Sequence, residues 1–141
     1  RSAEALGPLR EAARIRPDFA VAHEALGHAY RDLGEATLSL QAFQRSVELE
    51  PNAPNAQYNL GVGLLRAGRA REALTPFGEA ARIRPDYTMA FVGLADAHMA
   101  LGDRSAALAA ARRALALARE QGDTELAERI AATRPIPKGE T

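Results

Sequence analysis

Cysteine and tryptophan are absent from this 141-residue chain, aromatic residues make up only 5% of it, and its net charge is zero. Without cysteine there is no disulfide, no thiolate metal site and no thiol nucleophile. The 18 basic residues balance 18 acidic ones, so no long-range field draws the chain to nucleic acid, an anionic membrane or an anionic substrate. No apolar run approaches the ~20 residues that cross a bilayer, so direct membrane insertion is not expected. No signal peptide is visible, and the chain opens on Arg1 rather than on an initiator methionine. Lys138 is its one lysine, and the arginine and alanine bias suggests a bacterial, high-GC origin. A soluble, cytoplasmic protein is the expectation from these features.

The residues that could carry chemistry are sparse and badly spaced. Only three histidines are present. His23 and His28 are five apart, whereas a zinc pair on one helix needs i, i+4 spacing. Gly61-Val62-Gly63 lacks the flanking strand and further glycine of a dinucleotide loop. No serine sits in a nucleophile elbow, and the carboxylates are scattered as helix surface. Arg104, Arg112, Arg113 and Arg119 make one segment basic without interleaved aromatics, which argues against single-stranded nucleic acid. The chain therefore reads as a non-enzyme with no cofactor and no metal.

What the chain does have is a regular series of helix punctuators: Pro17, Gly34, Pro51, Gly68, Pro85 and Gly102, one every 17 residues and alternating in kind. Proline cannot continue a helix, and glycine tolerates the left-handed conformation that ends one. The sequence between them repeats too, since Ala12-Ala13-Arg14-Ile15-Arg16-Pro17-Asp18-Phe19 returns as Ala80-Ala81-Arg82-Ile83-Arg84-Pro85-Asp86-Tyr87. A 34-residue period of two helices predicts an all-α solenoid of antiparallel helix pairs. The spacing predicts helices over 2–15, 20–33, 36–49, 54–67, 70–83, 88–101, 104–120 and 123–132.

Each pair carries the same two apolar stripes. In first helices these are Leu26, Gly27 and Tyr30, then Leu60, Gly61 and Leu64, then Leu94, Ala95 and His98. In second helices they are Leu40, Phe43 and Val47, then Leu74, Phe77 and Ala81, then Leu108, Ala111 and Leu115. The small residue in each first stripe allows a close helix approach. His23 and His98 occupy packing slots. Pro8 and Pro76 fall at equivalent points inside second helices, where each removes one hydrogen bond and bends its helix mildly.

The period also assigns boundaries: a half repeat at 1–19, full repeats at 20–53, 54–87 and 88–121, a capping helix at 122–133 and a linker or frayed tail at 134–141. Segment 2–15 matches only the second half of a unit, so its expected partner helix lies outside the chain and the array is the C-terminal end of a longer one. Asp123 with Glu125 marks the start of the capping helix, whose apolar surface is limited to Leu126 and Ile130.

These units resemble the tetratricopeptide repeat, whose pattern is Trp-x2-Leu-Gly-x2-Tyr, Ala-x3-Phe, then Pro. Here the first full unit has His23, Leu26, Gly27, Tyr30, Ser39, Phe43 and Pro51 in those slots. The next has Gln57, Leu60, Gly61, Leu64, Ala73, Phe77 and Pro85, and the last has Phe91, Leu94, Ala95, His98, Ala107 and Ala111 without the proline. The resemblance implies a right-handed superhelix whose first helices line a concave groove for a peptide or helix of a partner protein. The dicarboxylate clamp of chaperone-binding members is missing, because Glu24, His28, Met89 and Gly93 stand in its slots and only Asn59 fits.

On the first helices the face beside the packing stripe carries Val21, Glu24, His28 and Arg31, then Asn55, Tyr58, Val62 and Leu65, then Met89, Val92, Asp96 and Met99. Of these, Glu24, His28, Asn55, Tyr58, Val62, Leu65, Met89, Val92, Asp96 and Met99, with Asn59 at the edge, are the expected partner-binding residues. Tyr58 and Asn59 offer an aromatic surface and a two-way amide, and the apolar members adapt to a partner's shape. Two alternatives stand beside this reading: a homo-oligomer assembled through repeat edges, and an accessory domain of a larger enzyme.

Overall fold

The computed structural model describes residues 1–134 and 136–140. Eight α-helices are present among them: α1 Ser2–Ile15, α2 Ala20–Asp32, α3 Ala36–Leu49, α4 Pro54–Arg66, α5 Ala70–Ile83, α6 Thr88–Ala100, α7 Arg104–Glu120 and α8 Thr124–Thr133. A short 3-10 turn, Lys138–Glu140, follows. Helices packed along the array are neighbours in sequence, and α4 also touches α6 across one repeat. This is an all-α solenoid of antiparallel helix pairs.

The two kinds of punctuator act differently. Gly34, Gly68, Gly102 and Gly122 have φ between 72° and 77° and close the helices before them in the left-handed conformation. The amide after each glycine reaches back to the helix, as in Glu35 N to Tyr30 O at 2.9 Å and Asp103 N to His98 O at 2.9 Å. Each first helix therefore ends one residue earlier than its spacing predicts, with Leu33, Ala67 or Leu101 as its cap. At two of the three proline turns a side chain lies on the proline carbonyl. Gln57 donates to Pro51 O at 2.9 Å, and His23 Nε2 lies 3.0 Å from Pro17 O. The junction of α7 with α8 uses the glycine turn instead, and Asp123 caps α8 by accepting from Leu126 N at 3.0 Å.

The expected close approach is made by phenylalanine rings. A Cβ on Gly27 would lie 2.5 Å from Phe43, and one on Gly61 2.7 Å from Phe77, so neither position admits even alanine without movement. The third pair makes the opposite exchange: Ala95 and Ala111, both fully buried, replace the glycine and the ring. Gly93 on α6 also rests on Phe77, where an added Cβ would come within 2.3 Å. Phe77 is thus wedged between α4 and α6 and is itself fully buried.

The C-terminal segment differs from the expected frayed linker. Arg134 Nη2 donates to Asp96 Oδ2 at 3.0 Å, and Ile136 is buried in the cluster that holds Leu115 and Ile130. Glu140 accepts a two-pronged contact from Arg112. The segment's described residues form a strap along the last helices, anchored at Glu140 by Arg112. Of the expected tail, Pro135 and Thr141 lie outside the described residues. At the opposite end, α1 buries none of its residues.

Candidate functional site

Helices α2, α4 and α6 lie side by side and present one shared face. An inter-repeat hydrogen bond locks α2 to α4 there, since Asn59 Nδ2 donates to Glu24 Oε1 at 2.9 Å and lies 3.4 Å from His28 Nε2. Glu24 and His28 are themselves 3.8 Å apart at i, i+4. His28 stands edge-on to Phe43, with 5.0 Å between ring centroids. The Asn59 amide N–H that the sequence offered to a ligand thus joins repeats, and its Oδ1 is the atom left to accept from outside.

Tyr58 sits between two rings, 5.8 Å from Phe77 and 5.4 Å from Tyr87. Burial pushes both phenols up, and the Asp96 carboxylate adds to this at Tyr58 while Arg66 and Arg134 oppose it. Those interactions bring α4, the turn before α6, α6 itself and the C-terminal strap together around one tyrosine. Sequence reasoning missed Tyr87, Arg66 and Arg134. A signal for Tyr87 existed, because Phe19 holds the same place after Pro17-Asp18 and each ring lies under an arginine, Arg16 at 4.9 Å and Arg84 at 4.7 Å. Arg134 lies outside the repeat and gave no such signal.

The other expected residues divide by burial. Met99, 40% exposed, and Asn55 are open, as is Val21 beyond them. Asp96 is half-exposed and paired with Arg134. Val62 and Leu65 lean on the Phe77 cluster, and Met89 leans on the cluster beneath α6. Val92 is corrected outright. It is only 5% exposed and shares its cluster with Ala111, Leu115, Ile130 and Ile136, so α8 and the strap bring it into the core where Glu24 and Tyr58, at the same repeat position, remain on the face. The sequence treated the last unit as equivalent to the others, but it is the one followed by a cap.

Among the described residues no group of three or more His, Asp or Glu could hold a metal, and no helix is long and apolar enough to cross a membrane. The outer surface carries i, i+3 ion pairs such as Arg14–Glu11 at 2.6 Å and Arg82–Glu79 at 2.8 Å, which neutralise it locally. His98 Nδ1 lies 3.9 Å from Asp103 Oδ2 across the glycine turn.

Comparison with known proteins places this geometry. The family models described as "TPR repeat" and "Tetratricopeptide repeat" match residues 27–68 and 90–121. Superkiller complex protein 3 of Mus musculus is 29% identical over 99 residues, and that of Homo sapiens 27% over 96. These alignments cover 70% and 68% of this chain but only 6% of either relative. Among solved structures, YrrB, titled a TPR protein with an unusual peptide-binding site, is 26% identical with a TM-score of 0.81 over 93% of this chain and 66% of its own. PcrH in complex with the chaperone binding region of PopD is 25% identical, with a TM-score of 0.74 over 78% of this chain and 84% of its own. MamA shares the fold, at 22% identity and a TM-score of 0.82 over 86% of this chain and 71% of its own. With its paired helices, its glycine and proline turns and these matches, the chain belongs to the tetratricopeptide repeat family.

Proposed function

We propose that this chain is a non-catalytic scaffold that holds a peptide or helical segment of a partner protein along the shared face of α2, α4 and α6. The observation that carries the reading is the mixture on that face. Met99 and Asn55 are exposed, Tyr58 pairs with Tyr87, and Arg66 is exposed and makes no ion pair among the described residues. An adaptable apolar side chain, a rigid aromatic surface and an unneutralised cation together suit a peptide better than bulk water. YrrB and PcrH, whose titles name a peptide-binding site and a bound partner region, support the same use of the fold.

The test must avoid residues that also hold the core. Charged substitutions at Tyr58, Leu65 or Met89 would disturb packing as well as the face. A displayed random-peptide library panned on the chain should enrich a recurrent sequence. The combined variant Asn55→Arg, Arg66→Glu and Met99→Glu should bind those peptides at least about tenfold more weakly with its melting curve unchanged, while Gln44→Glu on exposed α3 surface should bind normally. No enrichment, or equal binding by the triple variant, would remove this face as the site.

A further inference from the structure

A cavity of about 130 Å³ opens in the crease between α2 and α4, and α3 forms its floor. The tenth position of the first helices is Ala29 in α2 and Ala97 in α6, both buried, but Gly63 in α4. A Cβ on Gly63 would lie 3.3 Å from Leu40 and 3.7 Å from Phe43, so the glycine lets α3 side chains come close to α4 at the edge of the recess. The floor and walls are apolar, made by Phe43, Val62, Gly63 and Ala67. Arg31, Arg66 and Asn59 also line the cavity.

These polar groups are not equally committed. Arg31 turns Nε and Nη2 toward Asp32 Oδ1, at 3.2 and 3.0 Å. Arg66 makes no ion pair among the described residues, and the Asn59 oxygen is unused by the Glu24–His28 bond. Glu24, the nearby carboxylate, is outside the lining and is held by Asn59 and His28. A small apolar recess thus lies beside an unneutralised cation and a free amide acceptor.

Resting on the groove reading above, we propose that this crease is the anchor subsite for the bound segment, and that it takes an aliphatic side chain whose own residue, or its neighbour, carries a carboxylate. The aliphatic group fills the recess lined by Phe43, Val62 and Ala67, Arg66 faces the carboxylate with Arg31 behind it, and Asn59 Oδ1 accepts a backbone N–H from the ligand. Charge complementarity selects the occupant: a cationic or purely apolar segment would leave Arg66 unpaired against the partner.

The probes are N-acetyl-leucine and N-acetyl-leucinamide, followed by amide chemical shifts of the labelled chain. N-acetyl-leucine should perturb Gly34, Gly63 and Ala67, and the amide, which lacks the charge, should bind at least about tenfold more weakly. Gly63→Ala adds a methyl at the edge of the recess, where Leu40 at 3.3 Å must shift to admit it. It should weaken binding of N-acetyl-leucine and of library-selected peptides, as should Arg66→Ala. Equal binding of the two probes would overturn the carboxylate requirement. Selected peptides that bind Gly63→Ala and Arg66→Ala as tightly as the parent would overturn the subsite while leaving the groove intact. The absence of any selected peptide would instead overturn the groove reading on which the subsite rests.

Discussion

Phe77→Ala is expected to cost about 3–5 kcal/mol, toward the upper end of what truncating a buried ring costs. The ring is fully buried, and two of its neighbours are glycines on different helices, Gly61 of α4 and Gly93 of α6. Neither has a side chain that could move into the space, so the cavity stays open. Tyr58, whose ring centroid lies 5.8 Å away, loses support at the same time. In a solenoid each repeat is stabilised by its neighbours alone, so losing the wedge between α4 and α6 should also uncouple the two halves of the array. Urea unfolding followed by circular dichroism should show a lower midpoint and a transition that broadens or divides. A single transition shifted by less than about 1 kcal/mol would mean that the wedge is not the coupling element. Gly61→Ala alone should destabilise by about 1–3 kcal/mol through overpacking. Combined with Phe77→Ala it should cost less than the sum, because the pair would then match the Ala95–Ala111 arrangement that α6 and α7 already use.

Ile130→Ala should produce the second large effect, of a different kind. Ile130 is fully buried and is the largest buried side chain of α8, with Ala127 buried beside it and Leu126 and Ala131 partly buried against the same cluster. Removing a buried isoleucine costs about 2–5 kcal/mol if the helix stays in place. A terminal helix has the alternative of undocking, which limits the loss to its own docking energy. Hydrogen exchange should therefore show loss of protection in α8 with α4 and α5 unchanged. The Arg134–Asp96 pair should break with it and uncover Val92. Retained protection in α8 would show that the strap, through Ile136 and the Arg112–Glu140 contact, is the principal tether.

The helices were legible because their punctuation is local. Proline lacks an amide proton and glycine lacks a Cβ, and both effects operate within one turn of chain. The packing partners were legible for a related reason: in a repeat, the neighbour of any residue is another copy of the same pattern. Leu26, Phe43, Leu64 and Phe77 follow from that rule and are buried. The rule fails where no further copy follows. Val92 was read by analogy with Tyr58 and Glu24, yet α8 and the strap cover it. The strap's own sequence, with Arg134 and Ile136, has no counterpart earlier in the chain from which its contacts could be inferred.

Asn59 shows the same limit for polar groups. Its type and place announced a hydrogen bond, but not whether the partner would be a ligand or the preceding repeat, because Glu24 lies 35 positions away and only helix stacking brings it to 2.9 Å. The solenoid, its helix boundaries to within a residue or so, and a close helix approach at the small residue of each first stripe are readable from the sequence, since these depend on local conformation and a fixed period. Helix packing sets which face residues remain open, how the strap closes the last repeat, and that a recess opens between α2 and α4 beside Arg66. Those outcomes depend on the distance between side chains far apart in the chain, and a period records only how often a residue recurs.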